Sequence, residues 1–302
     1  MSDAPKEPIY ITKLTLNDIN CFQGEYEVDF TNAKGEPALF TVILGNNNTG
    51  KTTLLRCLAA FVSGHLQLNS ETSYQYVNLS VRANLIDYLK SKNHISNIQL
   101  HSTLGDLGSI KYAAYINPPD FSNPTLDNVP TSPVALHMLQ KTEDNFQKGA
   151  LEMITLMNGY GTNRKSGNTN ITGYTLNDRV ETLFSDEPNL LNAEEWMVNA
   201  YINKLELIAD GQNDAPNHYD YMRKVLTGIL PDVQTIEVRK FVEENGTLRR
   251  VIFTTTSGEE VTSEQLGSGY RSLITWVVDF ANRQFMRYYN SPNPLAEPAI
   301  VL

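Results

Sequence analysis

Cysteine and histidine are scarce in this chain, and their shortage excludes a class of site. The 302 residues include 2 cysteines and 5 histidines. Cys21 and Cys57 lie in different predicted elements and show neither metal-ligand nor redox spacing, and the histidines are scattered singly. A histidine-based metal site is therefore not expected. The two cysteines fit a protein of the reducing cytoplasm.

Long apolar runs and an excess of basic side chains are also missing. No apolar stretch approaches membrane-spanning length, and the start, MSDAPKEP, has neither the basic end nor the apolar centre of a signal peptide. Lysine and arginine number 24 against 34 acidic residues, a formal charge of −10. This balance disfavours a bulk-cationic nucleic-acid binder, because phosphate neutralisation needs clustered cations. It leaves a local basic groove open, and no membrane partner is expected.

The most informative segment is a glycine-bearing loop between a predicted strand and a predicted helix. The strand is ALFTVIL (residues 38–44), an unbroken apolar run typical of a strand covered on both faces. The loop, GNNNTGKT (residues 45–52), satisfies the pattern G-x-x-x-x-G-K-[ST]. The following helix has apolar residues at helical spacing: Leu54, Leu58, Phe61 and Val62. The loop thus has the context that this phosphate-binding pattern requires.

Each position of the loop has a physical role in holding a nucleoside triphosphate. Gly45 and Gly50 permit backbone conformations in which successive N–H groups point at phosphate oxygens, and the helix adds its positive dipole end. Lys51 is a mobile cation that can reach the β- and γ-phosphates, and the Thr52 hydroxyl suits Mg²⁺ as a metal ligand. The predicted nucleotide-binding residues here are Gly45, Asn46, Asn47, Asn48, Thr49, Gly50, Lys51, Thr52 and Thr53.

Strand patterns lie on both sides of the loop. Residues 25–30 alternate acid and apolar side chains, which predicts a half-buried strand with its apolar residues on one face. Further strands are predicted at 9–16, at 98–104 paired with 111–116, and in a hairpin that turns at Asn245-Gly246. Residues 151–158 fit either a strand or a short helix. Residues 117–133 and 159–173 are predicted to be loops, the second of them mobile.

Three helices are predicted in the second half of the chain. The first covers residues 192–210 behind an Asn192 cap, the second ends at Pro231, and the third begins at about Gly269. Their expected apolar faces are Met197, Tyr201, Leu205 and Ile208; Met222, Val225, Leu226 and Ile229; and Leu273, Trp276, Val277 and Phe280. Trp196 is interpreted as core rather than as a platform for bases, and Arg249-Arg250 as hairpin edge charge rather than a DNA contact.

A second glycine-bearing turn opens the third helix, in EQLGSGYRSLITWVVDF (residues 264–280). Alone, it fits a helix that Ser268 simply caps. Together with the phosphate loop, the pair resembles the ATP-binding-cassette (ABC) ATPases, whose signature, Leu-Ser-x-Gly, closes over the nucleotide of a second protomer. The resemblance implies ATP as the nucleotide, an ATP-sandwich homodimer or higher oligomer, and these signature residues: Leu266, Gly267, Ser268, Gly269, Tyr270, Arg271 and Ser272. Gly267 stands where the family usually has serine and offers no hydroxyl, so the resemblance leaves the backbone amides and Ser268 to contact the γ-phosphate.

Other segments resemble a narrower group within that family. The strand ending in YEVDF (residues 26–30) looks like the opening of SMC-, RecF- and OLD-like ATPases. GYGTNR (159–164) and LFSDEPNLLNAEEWMV (183–198) resemble elements of prokaryotic antiphage ATPases, including those of Septu and retron-linked systems, which work with an HNH nuclease. The resemblance implies such a nuclease partner, with DNA reached through the complex. It also gives Arg164 a nucleotide- or partner-facing role; the alternative is a solvated loop cation.

The resemblance also implies an Asp-Glu pair after a strand called Walker B. PAIVL (residues 298–302) looks like that strand, and no such pair follows it, so no catalytic residue is assigned. The expected fold is an α/β P-loop ABC-ATPase head with an N-terminal antiparallel β portion and a helical signature lobe, truncated at Walker B. Its expected division is an N-terminal β portion with the phosphate loop (1–64), a variable insertion and helical region (65–230), and a region of hairpin, signature helix and Walker B strand (231–302).

Three functions remain open from the sequence. The first is the ATPase subunit of an antiphage complex, in which ATP-dependent head dimerisation controls a partner nuclease. The second is a nucleotide-sensing scaffold with little hydrolysis, which the missing carboxylate favours. The third is a DNA-repair ATPase of RecF type.

Overall fold

The computed structural model divides the chain into two compact units. The first comprises Met1–Gly159, Asp178–Phe184 and Pro298–Leu302, and the second comprises Tyr160–Asn177 and Ser185–Glu297. The structure describes residues 9–59, 96–104, 109–116, 134–139, 157–162, 166–167, 180–186, 190–212, 217–243 and 246–302. Several predictions fall outside these ranges: the loop at 117–133, residues 151–156, most of 159–173, Phe61, Val62 and Arg164.

The described part of the chain contains both strands and helices. The strands are β1 (Ile9–Ile19), β2 (Phe22–Asp29), β3 (Ser96–Leu104), β4 (Ser109–Ile116), β5 (Val134–Leu139), β6 (Met157–Asn158), β7 (Val233–Glu243), β8 (Gly246–Thr255), β9 (Glu260–Thr262) and β10 (Ile300–Val301). The helices are α1 (Lys51–Ala59), α2 (Glu181–Phe184), α3 (Ala193–Ala209), α4 (His218–Ile229) and α5 (Ser268–Arg287). Of the helices that the structure describes, none combines the length and apolar character needed to cross a bilayer.

The first unit contains an antiparallel sheet in the order β2-β1-β3-β4-β5. The predicted strands at 9–16 and 25–30 and the predicted pair at 98–104 and 111–116 are confirmed. Leu14 on β1 is fully buried and lies opposite Leu100 of β3. The predicted apolar face of the edge strand β2 is only partly covered: Tyr26 on the strand is 47% exposed, and Phe30, which directly follows the strand, is 7% exposed.

The prediction of a buried strand at residues 38–44 is wrong. No strand is formed there, and Leu39, Phe40 and Leu44 are each more than 80% exposed. The last backbone bond before the phosphate loop runs from the Ala38 N–H to the Phe30 carbonyl, at 2.8 Å. A strand needs hydrogen-bonded neighbours, and among the described residues no strand pairs with residues 39–44. An apolar run favours burial, but among the described residues no strand lies beside this one to bury it.

A short parallel ladder completes the first unit. β10 pairs with β6 in parallel, with Ile300 opposite Met157. The prediction of a strand within PAIVL is therefore confirmed, and residues 157–158 take the strand alternative. Beside this ladder lies a small core that joins α1 and α2: Ala59, Met157, Val180 and Leu183, with Leu55, Ile300 and Leu302 packed against it.

The second unit is built on the antiparallel sheet β7-β8-β9, packed with α3, α4 and α5. The hairpin predicted around Asn245-Gly246 is confirmed as β7 and β8. Trp196 is 6% exposed in the core, its ring is 6.0 Å from that of Phe285, and its Nε1 donates to Asn282 Oδ1 at 2.9 Å. The interpretation of Trp196 as core is therefore confirmed.

The three helices of this unit form where predicted, but their buried faces differ in part. Asn192 caps α3, with its side chain accepting from the Glu195 N–H. Near the end of α3, however, Leu205 and Ile208 are 39% and 42% exposed, and Ile229 at the end of α4 is 40% exposed. On α5 the buried face lies one residue later than predicted. Val277 is buried as predicted, but Leu273, Trp276 and Phe280 are only half-buried, and the other buried apolar residues are Ile274, Val278, Ala281 and Phe285.

Candidate nucleotide-binding site

The predicted phosphate loop leads directly into α1 within the first unit. Its backbone enters the left-handed region at Asn48 (φ 63°) and Gly50 (φ 91°). A Cβ at Gly50 would lie 2.6 Å from Cys21 Sγ and 2.8 Å from Phe22 Cζ. The turn between β1 and β2 therefore packs against the second glycine of the loop. A side chain there would meet both backbone strain and a steric conflict.

The Lys51 ammonium group lies on the backbone of the loop. Nζ donates to the carbonyl oxygen of Gly45 at 2.7 Å and to that of Asn46 at 2.5 Å. The Thr49 hydroxyl donates to the same Asn46 carbonyl at 2.8 Å. Phosphate oxygens are charged and are stronger acceptors than carbonyls. The ammonium can therefore move from these neutral acceptors to a phosphate.

The first turn of α1 presents backbone donors next to this lysine. The first backbone bond at the helix start runs from the Leu54 N–H to the Gly50 carbonyl, at 2.8 Å. The N–H groups of Lys51, Thr52 and Thr53 precede it and have no acceptor within the helix. The Thr53 side chain is buried, 7% exposed, so only its amide is suited to a ligand. Three amides, one cation and the helix dipole together favour an anion at this end of α1.

The residues around the loop fit Mg²⁺ held by a nucleotide. The Thr52 hydroxyl is exposed on the first turn of α1, and Mg²⁺ usually takes one or two protein ligands, substrate phosphates and waters. Within the described ranges, no group of three or more His, Cys, Asp or Glu side chains could hold a metal ion. The single hydroxyl of Thr52 suits a metal that arrives with the triphosphate and takes its other ligands from phosphates and water.

The predicted signature turn is an exposed helix start in the second unit. Gly267 is the N-cap of α5 and makes no side-chain cap bond, so Ser268 is the first helical residue and not the cap. Gly267, Ser268 and Gly269 are all exposed, and a Cβ at either glycine would meet nothing within 4 Å. The Arg271 N–H donates to the Gly267 carbonyl at 3.1 Å, which leaves the N–H groups before it without helical acceptors.

The residues around this turn anchor it to the second unit. Leu266 and Tyr270 are half-buried and pack against the hydrophobic core, Ser272 is half-buried, and Arg271 is exposed. The Tyr270 hydroxyl donates to Asp232 Oδ2. This hydrogen bond, with a further effect of burial, raises the pKa of Tyr270 above its ordinary value. The turn is thus exposed at Gly267 and Gly269, while Tyr270 on its helix side anchors it to the second unit.

A buried acid on α5 is a structural feature that the sequence patterns did not reveal. Asp279 is fully buried and accepts hydrogen bonds from Tyr160 Oη at 2.9 Å and Arg283 Nε at 2.7 Å. Tyr160 belongs to the GYGTNR segment, so its hydrogen bond to Asp279 joins that segment to the signature helix α5. The available signal was an aspartate inside the apolar stretch ITWVVDF.

The site geometry agrees with a match to a protein family. Residues 13–206 match the family described as AAA domain, a span from β1 into α3 that includes the phosphate loop. The chain belongs to this family. Its fold is that of a P-loop ATPase, as predicted, and the match does not extend to the signature turn.

Comparison with solved structures gives similar proteins at low identity. Two of them are structures of the recombination mediator protein RecF in the RecFOR pathway, one with ATP and one with ATPrS. Identities are 10% and 11%, and the TM-score is 0.43 for both. The alignments cover 100% and 98% of this chain and 86% and 85% of those chains. No curated protein matches the chain. Membership of the family rests on the sequence match.

Proposed function

We propose that the chain binds ATP with Mg²⁺ at residues 45–53 and that it acts as an ATPase subunit. The observation that carries this proposal is the contact of Lys51 Nζ with the Gly45 and Asn46 carbonyls, beside the amides that open α1. Bound triphosphate would take the ammonium from these carbonyls and accept from the amides. The Thr52 hydroxyl would ligate the Mg²⁺.

The proposed assembly is a sandwich of two copies, each closing the other's nucleotide with residues 266–272. It is supported by the open surface at Gly267 and Gly269 and by the helix N–H groups that follow. Backbone amides and Ser268 would contact the γ-phosphate, because Gly267 offers no hydroxyl. The role of Arg164 at the nucleotide or at a partner belongs to this proposal and is supported only by its Tyr-Gly neighbours.

In the wider proposal, the dimer works in the cytoplasm with an HNH-type nuclease in antiphage defence and reaches DNA through that complex. The support is the resemblance of residues 159–164 and 183–198 to the defence ATPases. Co-purification with the product of a neighbouring HNH gene would support this version. Tight ATP-dependent binding of duplex DNA by the chain alone would favour a repair ATPase instead.

Calorimetry with ATP and Mg²⁺ tests the nucleotide site. Lys51→Ala should abolish the binding heat, because the cation that faces the triphosphate is removed. Lys34→Ala, at an exposed lysine in the turn after β2, is the matched control and should bind as the unaltered chain does. Equal binding by the Lys51 variant would reject the proposal. Assembly with ATP but without Lys51-dependent phosphate release would favour the nucleotide-sensing scaffold.

A further inference from the structure

The carboxylate of Glu194 joins α3 to the segment that leads into the signature turn. Its Oε2 accepts a hydrogen bond of 2.5 Å from Ser263 Oγ, and its Oε1 accepts one of 3.3 Å from the Val251 N–H. Ser263 begins a 3-10 turn, Ser263–Gln265, that ends directly before Leu266. All of these residues belong to the second unit.

The Val251 amide is available to Glu194 because of the sheet register. β9 pairs with β8 only from Ile252 to Thr254, so the ladder on that side of β8 has ended at Val251. Glu194 accepts there in place of a strand. The same carboxylate therefore fixes both the end of the β8–β9 ladder and the start of the turn that follows β9.

The packing beneath residues 266–270 leaves a cavity, so the position of this turn depends mainly on its polar contacts. A cavity of about 340 Å³ lies beside Glu194 and Ser263 and extends to Arg271 and Thr275 on α5. Two other hydrogen bonds also hold residues 262–270 in place. The Thr262 N–H donates to Gln265 Oε1 at 2.8 Å, and Tyr270 donates to Asp232. Of these, only the Glu194 contact joins the 3-10 turn to α3.

We propose that Glu194 is a positioning residue for residues 266–270, acting through Ser263. It holds the start of α5 in the orientation in which its glycines and amides remain open at the surface. The importance of this role for assembly rests on the proposed function, in which this turn closes a second copy's nucleotide. The hydrogen bond itself exists in the single chain and can be tested without nucleotide.

The first measurement is amide hydrogen exchange of residues 266–270 in the free, full chain. Ser263→Ala and Glu194→Ala should each speed this exchange by about tenfold, because each removes a hydrogen bond to a charged group. The double variant should resemble Glu194→Ala, because that change alone already removes the contact to Ser263 together with the one to Val251. Ser263→Thr keeps the hydroxyl and should restore slow exchange. Glu264→Ala, which removes an exposed acid beside Ser263, is the control.

The second measurement is self-association with ATP and Mg²⁺ by analytical ultracentrifugation. The Ser263→Ala and Glu194→Ala variants should associate about tenfold more weakly, while their ATP binding as single chains is unchanged. If the unaltered chain does not associate with ATP, the proposed sandwich fails and the exchange rates alone decide the role of Glu194. Unchanged exchange in both variants overturns the role of Glu194, whatever the assembly does.

Discussion

The Tyr160 hydroxyl donates a 2.9 Å hydrogen bond to the buried carboxylate of Asp279, 119 residues further along the chain. On the same oxygen, Oδ2, Arg283 Nε donates at 2.7 Å. The Leu191 N–H approaches Oδ1 at 3.4 Å. One acid therefore connects the GYGTNR segment and the entry to α3 with the signature helix. Removing one partner of a buried ion pair is costly because the other charge stays in an apolar environment.

Asp279→Asn should lower the free energy of unfolding of the second unit by about 3 kcal/mol or more. Tyr160→Phe, which removes only the hydroxyl, should cost about 1–2 kcal/mol. Both tryptophans, Trp196 and Trp276, lie in this unit, so their fluorescence during urea unfolding measures it. Glu206→Gln, at an exposed acid on α3, should have almost no effect. A similar small loss for Asp279→Asn would show that the ion pair adds little.

Gly50→Ala should weaken ATP binding by at least about tenfold. The variant combines a positive φ of 91° with a Cβ placed 2.6 Å from Cys21 Sγ, so the start of α1 must shift. Gly24→Ala separates these causes, because Gly24 has a φ of 78° but nothing within 4 Å of the added Cβ. Calorimetry and thermal unfolding should show a modest stability loss in both variants and an affinity loss in Gly50→Ala alone. Equal affinities would mean that the packing of the β1–β2 turn does not shape the loop.

The stability of the second unit should fall as the pH drops below about 6.5, in part because of His218. Burial lowers the pKa of His218 below its ordinary value, and its ring stacks 4.2 Å from that of Phe285. The unfolded chain therefore binds the proton more readily. The contribution of neutral His218 to the free energy of unfolding is complete above its unfolded pKa near 6.5. It is lost as the pH falls from there through the lower pKa of His218 in the folded chain.

His218→Phe keeps an aromatic ring in the stack and removes the titration. Circular dichroism during urea unfolding at pH 7.5 and 5.5 should show a smaller difference for this variant than for the unaltered chain. The same pH dependence in both proteins would assign the effect to other groups.

Local patterns predicted much of this fold because their causes are local. The glycine positions of the phosphate loop, the Asn192 cap and the hairpin of β7 and β8 each depend on a few neighbouring residues, and the structure has all three elements. The start of α5 was likewise predicted within one residue, since a glycine-bearing turn before an amphipathic stretch is a local signal.

The buried faces of the helices were less predictable. On α5 the apolar residues are so numerous that two adjacent faces satisfy helical spacing, and Ile274 and Val278 are buried where Leu273 and Phe280 are only half-buried. On α3, Leu205 lies beyond the end of the core. Periodicity states which residues share a face, but the neighbours in the folded chain decide how far burial extends.

Contacts between distant residues could not be predicted from the sequence. Glu194 and Ser263 are 69 residues apart, and neither belongs to a pattern that requires the other. Residues 38–44 show the opposite case, in which a strong local signal of burial lacks partner strands among the described residues. Both depend on contacts between residues far apart in the chain, which local spacing patterns do not specify.

Gly269→Glu should prevent ATP-dependent self-association while preserving the fold of the single chain. An added Cβ at this position meets no atom within 4 Å, and an acid in the first turn of α5 is favourable for the helix dipole. The new carboxylate would, however, face the triphosphate of the second copy and repel it. Analytical ultracentrifugation with ATP and Mg²⁺ should show monomer for this variant, and thermal unfolding should show unchanged or slightly raised stability. Gly269→Ala adds the Cβ without charge and should still associate. Association of the Glu variant at the same ATP concentration would place residues 266–272 away from the nucleotide, because a negative charge against a γ-phosphate in a closed interface cannot be energetically neutral.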